Sequence, residues 1–140
     1  MRILVVDGQG GKLGRMTVEQ IKQRLPAVEV TAVGTNSIAT AAMLKGGADA
    51  VATGENPVVV CAAKADVIIG PVGIVVADAM LGEVTPRMAQ AVAASPARKI
   101  LLPYNKCDIY VVGTQGTTPF DAVHEAVEAA AKLCETGGSL

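Results

Sequence analysis

One stretch near the amino end combines residue types that act together in ligand chemistry: Asp7-Gly8-Gln9-Gly10-Gly11-Lys12-Leu13-Gly14. It follows the apolar run Ile3 to Val6 and precedes an amphipathic segment, which reads as a turn from a strand into a helix. Glycines at such a turn let the backbone bend sharply and approach a ligand closely. The helix behind them presents unpaired N–H groups and the positive end of its dipole. The chemistry that fits is the holding of an anion, a phosphate above all, by Gly8, Gln9, Gly10, Gly11, Lys12 and Leu13. Asp7 runs against this, because a carboxylate at the strand end repels a phosphate unless a metal, a water or a ribose hydroxyl stands between them.

A second glycine turn, Gly70-Pro71-Val72-Gly73, follows the apolar run Val67 to Ile69. In a doubly wound sheet the first and fourth strands are neighbours where the strand order reverses, and ligands bind at the carboxyl ends there. The two glycine turns are therefore expected to face one another across one crevice. Other polar residues expected at strand ends are Thr35-Asn36, Thr53-Gly54-Glu55-Asn56 and Asn105-Lys106-Cys107-Asp108. Thr35 and Asn36 suit ribose or base contacts, and Asn105 with Lys106 suits an outer wall that meets an anion. Glu55 suits a general acid or base; its plainer role, shared by Glu83, is a favourable charge at a helix start. Asp7 and Glu55 are thus the catalytic candidates, as acid–base groups or around a divalent metal, and the sequence shows no metal-ligand spacing of its own. His124 lies beside Phe120, Val123 and Val127 and reads as a packed boundary residue. Cys61, Cys107 and Cys134 are odd in number and widely spaced, which predicts free thiols and neither a disulfide framework nor a zinc site.

The elements that must position these residues alternate between short apolar runs and helical segments, the pattern of βα units around a parallel sheet. Strands are predicted at Ile3 to Val6, Val28 to Val33, Ala48 to Ala52, Val67 to Ile69 and Ile100 to Leu102. Gly14, Val18, Ile21 and Leu25 share one helical face while Arg15, Glu19 and Lys22 share another. Asn36 or Ser37 caps an Ala-rich helix that runs to Leu44 and stops at Gly46-Gly47. Three later helices are predicted to start with a capping residue and a proline, at Asn56-Pro57, Thr85-Pro86 and Thr118-Pro119. Val58-Val59-Val60 and Ile74-Val75-Val76 are assigned to helices. The connection at Asn105 to Asp108 is too short for a helical crossover, so Ile109 to Val112 is expected to run antiparallel to Ile100 to Leu102 at the sheet edge. The fold class is α/β, a single Rossmann-like doubly wound domain over residues 1–135, with a frayed tail over 136–140.

Gly8, Gly11 and Gly14 fit the loosened G-x-x-G-x-x-G spacing of NAD(P)-binding proteins; the stricter G-x-G-x-x-G needs glycine where Leu13 stands. The acid that holds the ribose hydroxyls of NAD about 20 residues on is missing, since that stretch reads Gly34-Thr35-Asn36-Ser37. No Arg stands there to favour NADP, and no Gly-Lys-Ser or Gly-Lys-Thr makes a P-loop.

Composition narrows the partners. Twelve Lys and Arg against thirteen Asp and Glu, with only Tyr104, Tyr110 and Phe120 aromatic, leave neither the charge nor the stacking surface of a nucleic-acid binder. A mean hydropathy of +0.43 excludes disorder. The apolar run behind Met1-Arg2 is too short for a signal peptide or membrane span, so a cytoplasmic protein is expected, and its aliphatic content suggests a homodimer.

The string Val6-Asp7-Gly8-Gln9-Gly10-Gly11, Gly34-Thr35-Asn36, Thr53-Gly54-Glu55-Asn56, Ile69-Gly70-Pro71-Val72-Gly73-Ile74 and Met80-Leu81-Gly82-Glu83-Val84-Thr85-Pro86 resembles a family of small bacterial proteins known only as a domain of unknown function. The resemblance covers nearly the whole chain. It implies a Rossmann-like protein of about this size and carries over no reaction or catalytic residue. The sequence thus points to binding of a nucleotide-type or other phosphate-bearing small ligand, NAD(P) among them. The alternatives are a small metal-dependent or acid–base enzyme using Asp7 and Glu55, and an oligomeric adaptor without a ligand.

Overall fold

The computed structural model describes residues 1–104 and 108–137. Five strands form one sheet: β1 (Arg2–Asp7), β2 (Glu29–Gly34), β3 (Ala50–Thr53), β4 (Val67–Pro71) and β5 (Arg98–Leu102). Their spatial order is β3-β2-β1-β4-β5, and every pairing is parallel. This is the Rossmann-like order, with its reversal between β1 and β4. The helices are α1 (Lys12–Arg24), α2 (Ser37–Lys45), α3 (Glu55–Lys64), α4 (Pro86–Ala94) and α5 (Pro119–Thr136).

The alternation of side chains along each strand divides the core into two layers. Ile3 and Val5 of β1, with Val67 and Ile69 of β4, pack against Val18 and Ile21 of α1, Met43 of α2 and Val123 and Val127 of α5. Leu4, Val6 and Ile68 face the other way, onto Val58 of α3 and Met88 and Val92 of α4. Each large aliphatic side chain so buried contributes about 1.5–3 kcal/mol relative to an exposed one. Both faces of the sheet are therefore covered, and the carboxyl ends of the strands remain as the place for a site.

Local signals act where they were expected at three helix starts. Asn36 accepts the Ala39 N–H at 2.9 Å, Thr85 the Met88 N–H at 3.1 Å and Thr118 the Asp121 N–H at 3.2 Å. Helix α3 departs from the expected Asn56-Pro57 cap: it begins at Glu55 behind Gly54, whose φ of 106° turns the chain straight from β3 into the helix. Pro57 then sits in the first turn, where a missing N–H costs nothing. Val58-Val59-Val60 is helical, while Ile74 and Val75 belong to a single 3-10 turn, Val72–Val75, and Val76 lies beyond it.

Among the described residues Ile109 to Val112 form no antiparallel edge strand, and β5 itself forms the edge. Ile109, Tyr110 and Val112 are exposed rather than alternating in and out. Their segment is tied by local bonds, Thr114 Oγ1 to the Val111 carbonyl and Gln115 Nε2 to Tyr110 Oη, both 2.7 Å. Gly113 and Gly116, both at positive φ, turn the chain repeatedly before α5. A β-branched run without a buried face has no reason to join a sheet.

Candidate functional site

The glycine-rich loop connects β1 to α1 at the sheet's carboxyl edge. Gly11 is the N-cap of α1 in the left-handed region, φ 72°, and a Cβ there would stand 2.7 Å from the Ala39 Cα. The position therefore excludes any side chain on two counts. The Gly11 N–H bonds the Gly8 carbonyl at 2.9 Å, closing the turn.

Asp7 braces this loop from within. It is 2% exposed, and its carboxylate accepts the Gly8 N–H at 2.8 Å through Oδ1 and the Gly14 N–H at 2.7 Å through Oδ2. It thus caps α1 from the preceding strand, in place of the side chain that Gly11 lacks. Burial pushes the Asp7 carboxyl up, the two N–H donors pull it down, and the nearby Glu83 charge adds to the rise; the net result lies above its ordinary value.

With Asp7 holding the Gly14 amide, the N–H groups of Gly10, Lys12 and Leu13 have no partner among the described residues. Asp7 through Leu13, together with Met16, Tyr104 and Pro119, line a cavity of about 430 Å³. Tyr104 is fixed there by its hydroxyl, which donates to the Thr117 carbonyl at 3.1 Å. Lys12 makes no ion pair among the described residues. The cavity thus combines an apolar wall, a cationic side chain and unpartnered backbone donors.

The opposite flank of the loop is filled. Glu83, from the connection between β4 and α4, reaches the loop and the β2–α2 corner at once. Its Oε1 accepts the Gln9 N–H at 2.9 Å, the Thr35 hydroxyl at 2.7 Å and the Asn36 amide at 2.7 Å. Asn36 also donates to the Gln9 carbonyl at 3.0 Å. Burial works to raise the Glu83 carboxyl, and the three donors outweigh it, holding the group below its ordinary value. A Cβ on Gly8 would lie 2.5 Å from Thr35 Oγ1, 2.6 Å from Met80 Sδ and 3.0 Å from Glu83 Oε1, so no space remains there.

The residues expected to share one crevice are therefore divided. Gly8, Gln9, Gly10, Gly11, Lys12 and Leu13 line the cavity, whereas Thr35 and Asn36 direct their donors at Glu83. Gly70, Pro71, Val72 and Gly73 do not line it. Gly70 lies where a Cβ would meet the Val6 carbonyl and Ile74, and Val72 borders a separate groove beside β5. At Gly70 the absent side chain lets β4 pack closely on β1. Glu55 lies outside the cavity and accepts the Thr85 hydroxyl at 2.7 Å, joining α3 to α4. Asn105, Lys106 and Cys107 fall outside the described residues. His124 is exposed rather than packed: Val123 and Val127 are buried, and the next position along α5 turns away from them. Cys61 and Cys134 are free thiols. Among the described residues no group of three or more His, Cys, Asp or Glu side chains is placed to hold a metal, and no helix is long and apolar enough to cross a membrane.

Sequence reasoning missed Met16, Tyr104 and Pro119 as cavity walls and gave Glu83 only a helix-start role. The one available signal for Glu83 was the acid-poor corner at Thr35-Asn36, two donors in need of an acceptor. Spacing does not identify the acceptor when it lies 47 and 48 residues away.

The family model for a domain of unknown function, DUF3842, matches residues 2–135, and the chain belongs to that family. No curated protein matches it. Among solved structures it is similar to a dodecameric FMN-dependent UbiX-like decarboxylase from Escherichia coli O157:H7, at 16% identity and a TM-score of 0.42, over 100% of this chain and 96% of that chain. The fold assignment rests on the strand order and parallel pairing themselves.

Proposed function

We propose that the protein binds a phosphate-bearing small ligand, nucleotide-type or smaller, with its phosphate on the amides of Gly10, Lys12 and Leu13 and its body in the cavity walled by Met16, Tyr104 and Pro119. The observation that carries this is the coincidence of unpartnered N–H donors at the start of α1 with a cavity lined by the same residues. Backbone donors fixed by the fold need no reorganisation to meet an anion, and the helix dipole adds to their attraction. Lys12 supplies a cation from the side. The Gly8 and Gly14 N–H groups that donate to its oxygens offset part of Asp7's repulsion of the phosphate. The role of Asp7 is to position the loop.

The test is thermal unfolding of the purified protein against inorganic phosphate, sugar phosphates, mononucleotides, dinucleotides, coenzyme A and divalent metals, repeated on Gly10→Ala. A ligand at 100 times its dissociation constant adds about 2.7 kcal/mol of stability. Gly10 suits the test because an added Cβ there meets nothing within 4 Å. The expected result is stabilisation by a phosphate-bearing compound that Gly10→Ala weakens without altering the free protein. No shift with any such compound removes the proposal.

A further inference from the structure

Among the described residues the cavity opens on one flank of the glycine loop, and what closes the other flank bears on which ligands fit. In a doubly wound fold a dinucleotide lies across the switch point, one half over the β1–β2 corner and the other toward the strands beyond it. Here the β1–β2 corner is occupied by the protein's own carboxylate. Glu83 Oε1 takes all three donors that a ribose or phosphate would use there, from Gln9, Thr35 and Asn36. Met80, 4% exposed, places its sulfur beside Gly8.

The connection that delivers Glu83 is built to stay in place. Asp78, Met80 and Leu81 hold φ of 65°, 58° and 57°, a region that is strained for non-glycine residues and persists only where the surroundings enforce it. The enforcing contacts are on both sides. Asp78 N–H bonds the Val84 carbonyl at 2.7 Å and Val84 N–H the Ala79 carbonyl at 3.1 Å, while Ala79 and Val84 are each 1% exposed in the core. Strain kept in a segment whose far end contacts a candidate ligand loop is the arrangement expected of a functional element.

We infer that Glu83 is a specificity-determining residue, restricting the site to ligands with one nucleotide or a smaller phosphate-bearing unit and excluding dinucleotides. The inference rests on the phosphate-site reading above. A dinucleotide must displace Glu83 from three hydrogen bonds, move Met80 off Gly8, and set its second phosphate and ribose beside an ionised carboxylate. A single unit needs none of this, since its phosphate and body lie on the open flank. The cavity volume of about 430 Å³ agrees, standing toward the lower end of the roughly 300–1,000 Å³ common for ligand pockets.

The experiment is calorimetric titration with matched pairs in which the larger compound contains the smaller: nicotinamide mononucleotide and AMP against NAD, and FMN against FAD, with ribose 5-phosphate and inorganic phosphate as the smallest probes. The expected result for the wild-type protein is binding of at least one single-unit probe, with the dinucleotides at least ten-fold weaker. Glu83→Ala then narrows the gap to within about three-fold by gaining dinucleotide affinity. Glu83→Asp, which draws the carboxylate back by one methylene, gives the same narrowing if the alanine variant does not fold. Dinucleotide binding by the wild type within three-fold of its mononucleotide overturns the inference and leaves the phosphate site standing. Discrimination unchanged in the folded variants overturns the role of Glu83. Binding of no phosphate-bearing probe, inorganic phosphate included, overturns the site and this inference together.

Discussion

Gly10 and Gly70 lie at the carboxyl ends of neighbouring strands, and a methyl group added to each meets very different surroundings. At Gly10 it meets nothing within 4 Å; at Gly70 it meets the Val6 carbonyl and, at 2.9 Å, Ile74 Cδ1. Gly10 keeps room beside a cavity, and Gly70 brings β4 against β1 at the end of the ladder they share. The same residue type thus leaves room in one place and removes it in the other. A glycine-rich turn at a strand end therefore does not identify a ligand loop until what fills the missing Cβ is known.

Substitutions at these glycines are expected to differ in cost. Gly11→Ala combines a left-handed backbone with contact on the Ala39 backbone, so it is expected to cost about 3–4 kcal/mol from the sum of conformational and overpacking penalties. Urea unfolding measures this directly. Gly70→Ala lacks the conformational penalty and is expected to cost about 2–3 kcal/mol by overpacking, with ligand affinity unchanged for protein that remains folded. A loss of affinity in Gly70→Ala at intact stability would show that the second turn belongs to the site after all.

Two carboxylates hold the first turn, Asp7 from inside and Glu83 from outside. Asp7→Asn turns one of two acceptors into a donor facing a buried N–H and is expected to cost about 2 kcal/mol. The pH dependence of the two groups has opposite sign. Asp7 has its folded value raised above the ordinary 3.8, so its stabilising contribution is complete below 3.8 and is lost as pH rises through the raised value. Glu83 has its folded value below the ordinary 4.5, so its contribution is present above 4.5 and is lost as pH falls through the lowered value. Unfolding free energies of Asp7→Asn and Glu83→Gln, each subtracted from wild type across acidic pH, are expected to slope in opposite directions. Parallel slopes would contradict the assigned roles.

The smallest effect belongs to Gly10→Ala, whose stability is expected to stay within about 0.5 kcal/mol of wild type, the range for surface changes that touch nothing. Its consequence is for binding alone. A marked destabilisation in this variant would mean that the cavity flank is as tightly filled as the flank at Gly8.

Much of the architecture was legible because it is encoded over short distances. The apolar runs at Ile3 to Val6, Val67 to Ile69 and Ile100 to Leu102 are strands, and the caps at Asn36, Thr85 and Thr118 act within three residues of themselves. Ile109 to Val112 misled for the same reason, since its β-branched and aromatic residues satisfy a local preference that no neighbouring strand takes up. The first glycine loop was legible as a unit, and its residues from Gly8 to Leu13 do line the cavity. The partition of the crevice was not.

By itself the sequence determined the alternation of strands and helices, most of the helix starts, and the glycine loop directly behind β1, because steric preference, side-chain period and capping all act between residues a few positions apart. The tertiary structure decided which flank of that loop is open. It turned the Asp7 carboxylate inward as a brace, seated Glu83 on donors 47, 48 and 74 residues away, filled the space at Gly70, and brought Tyr104 and Pro119 to the cavity wall. The physical reason is that these arrangements depend on which surfaces the packed sheet brings together, and contacts across such separations leave no periodic or spacing signal in the chain.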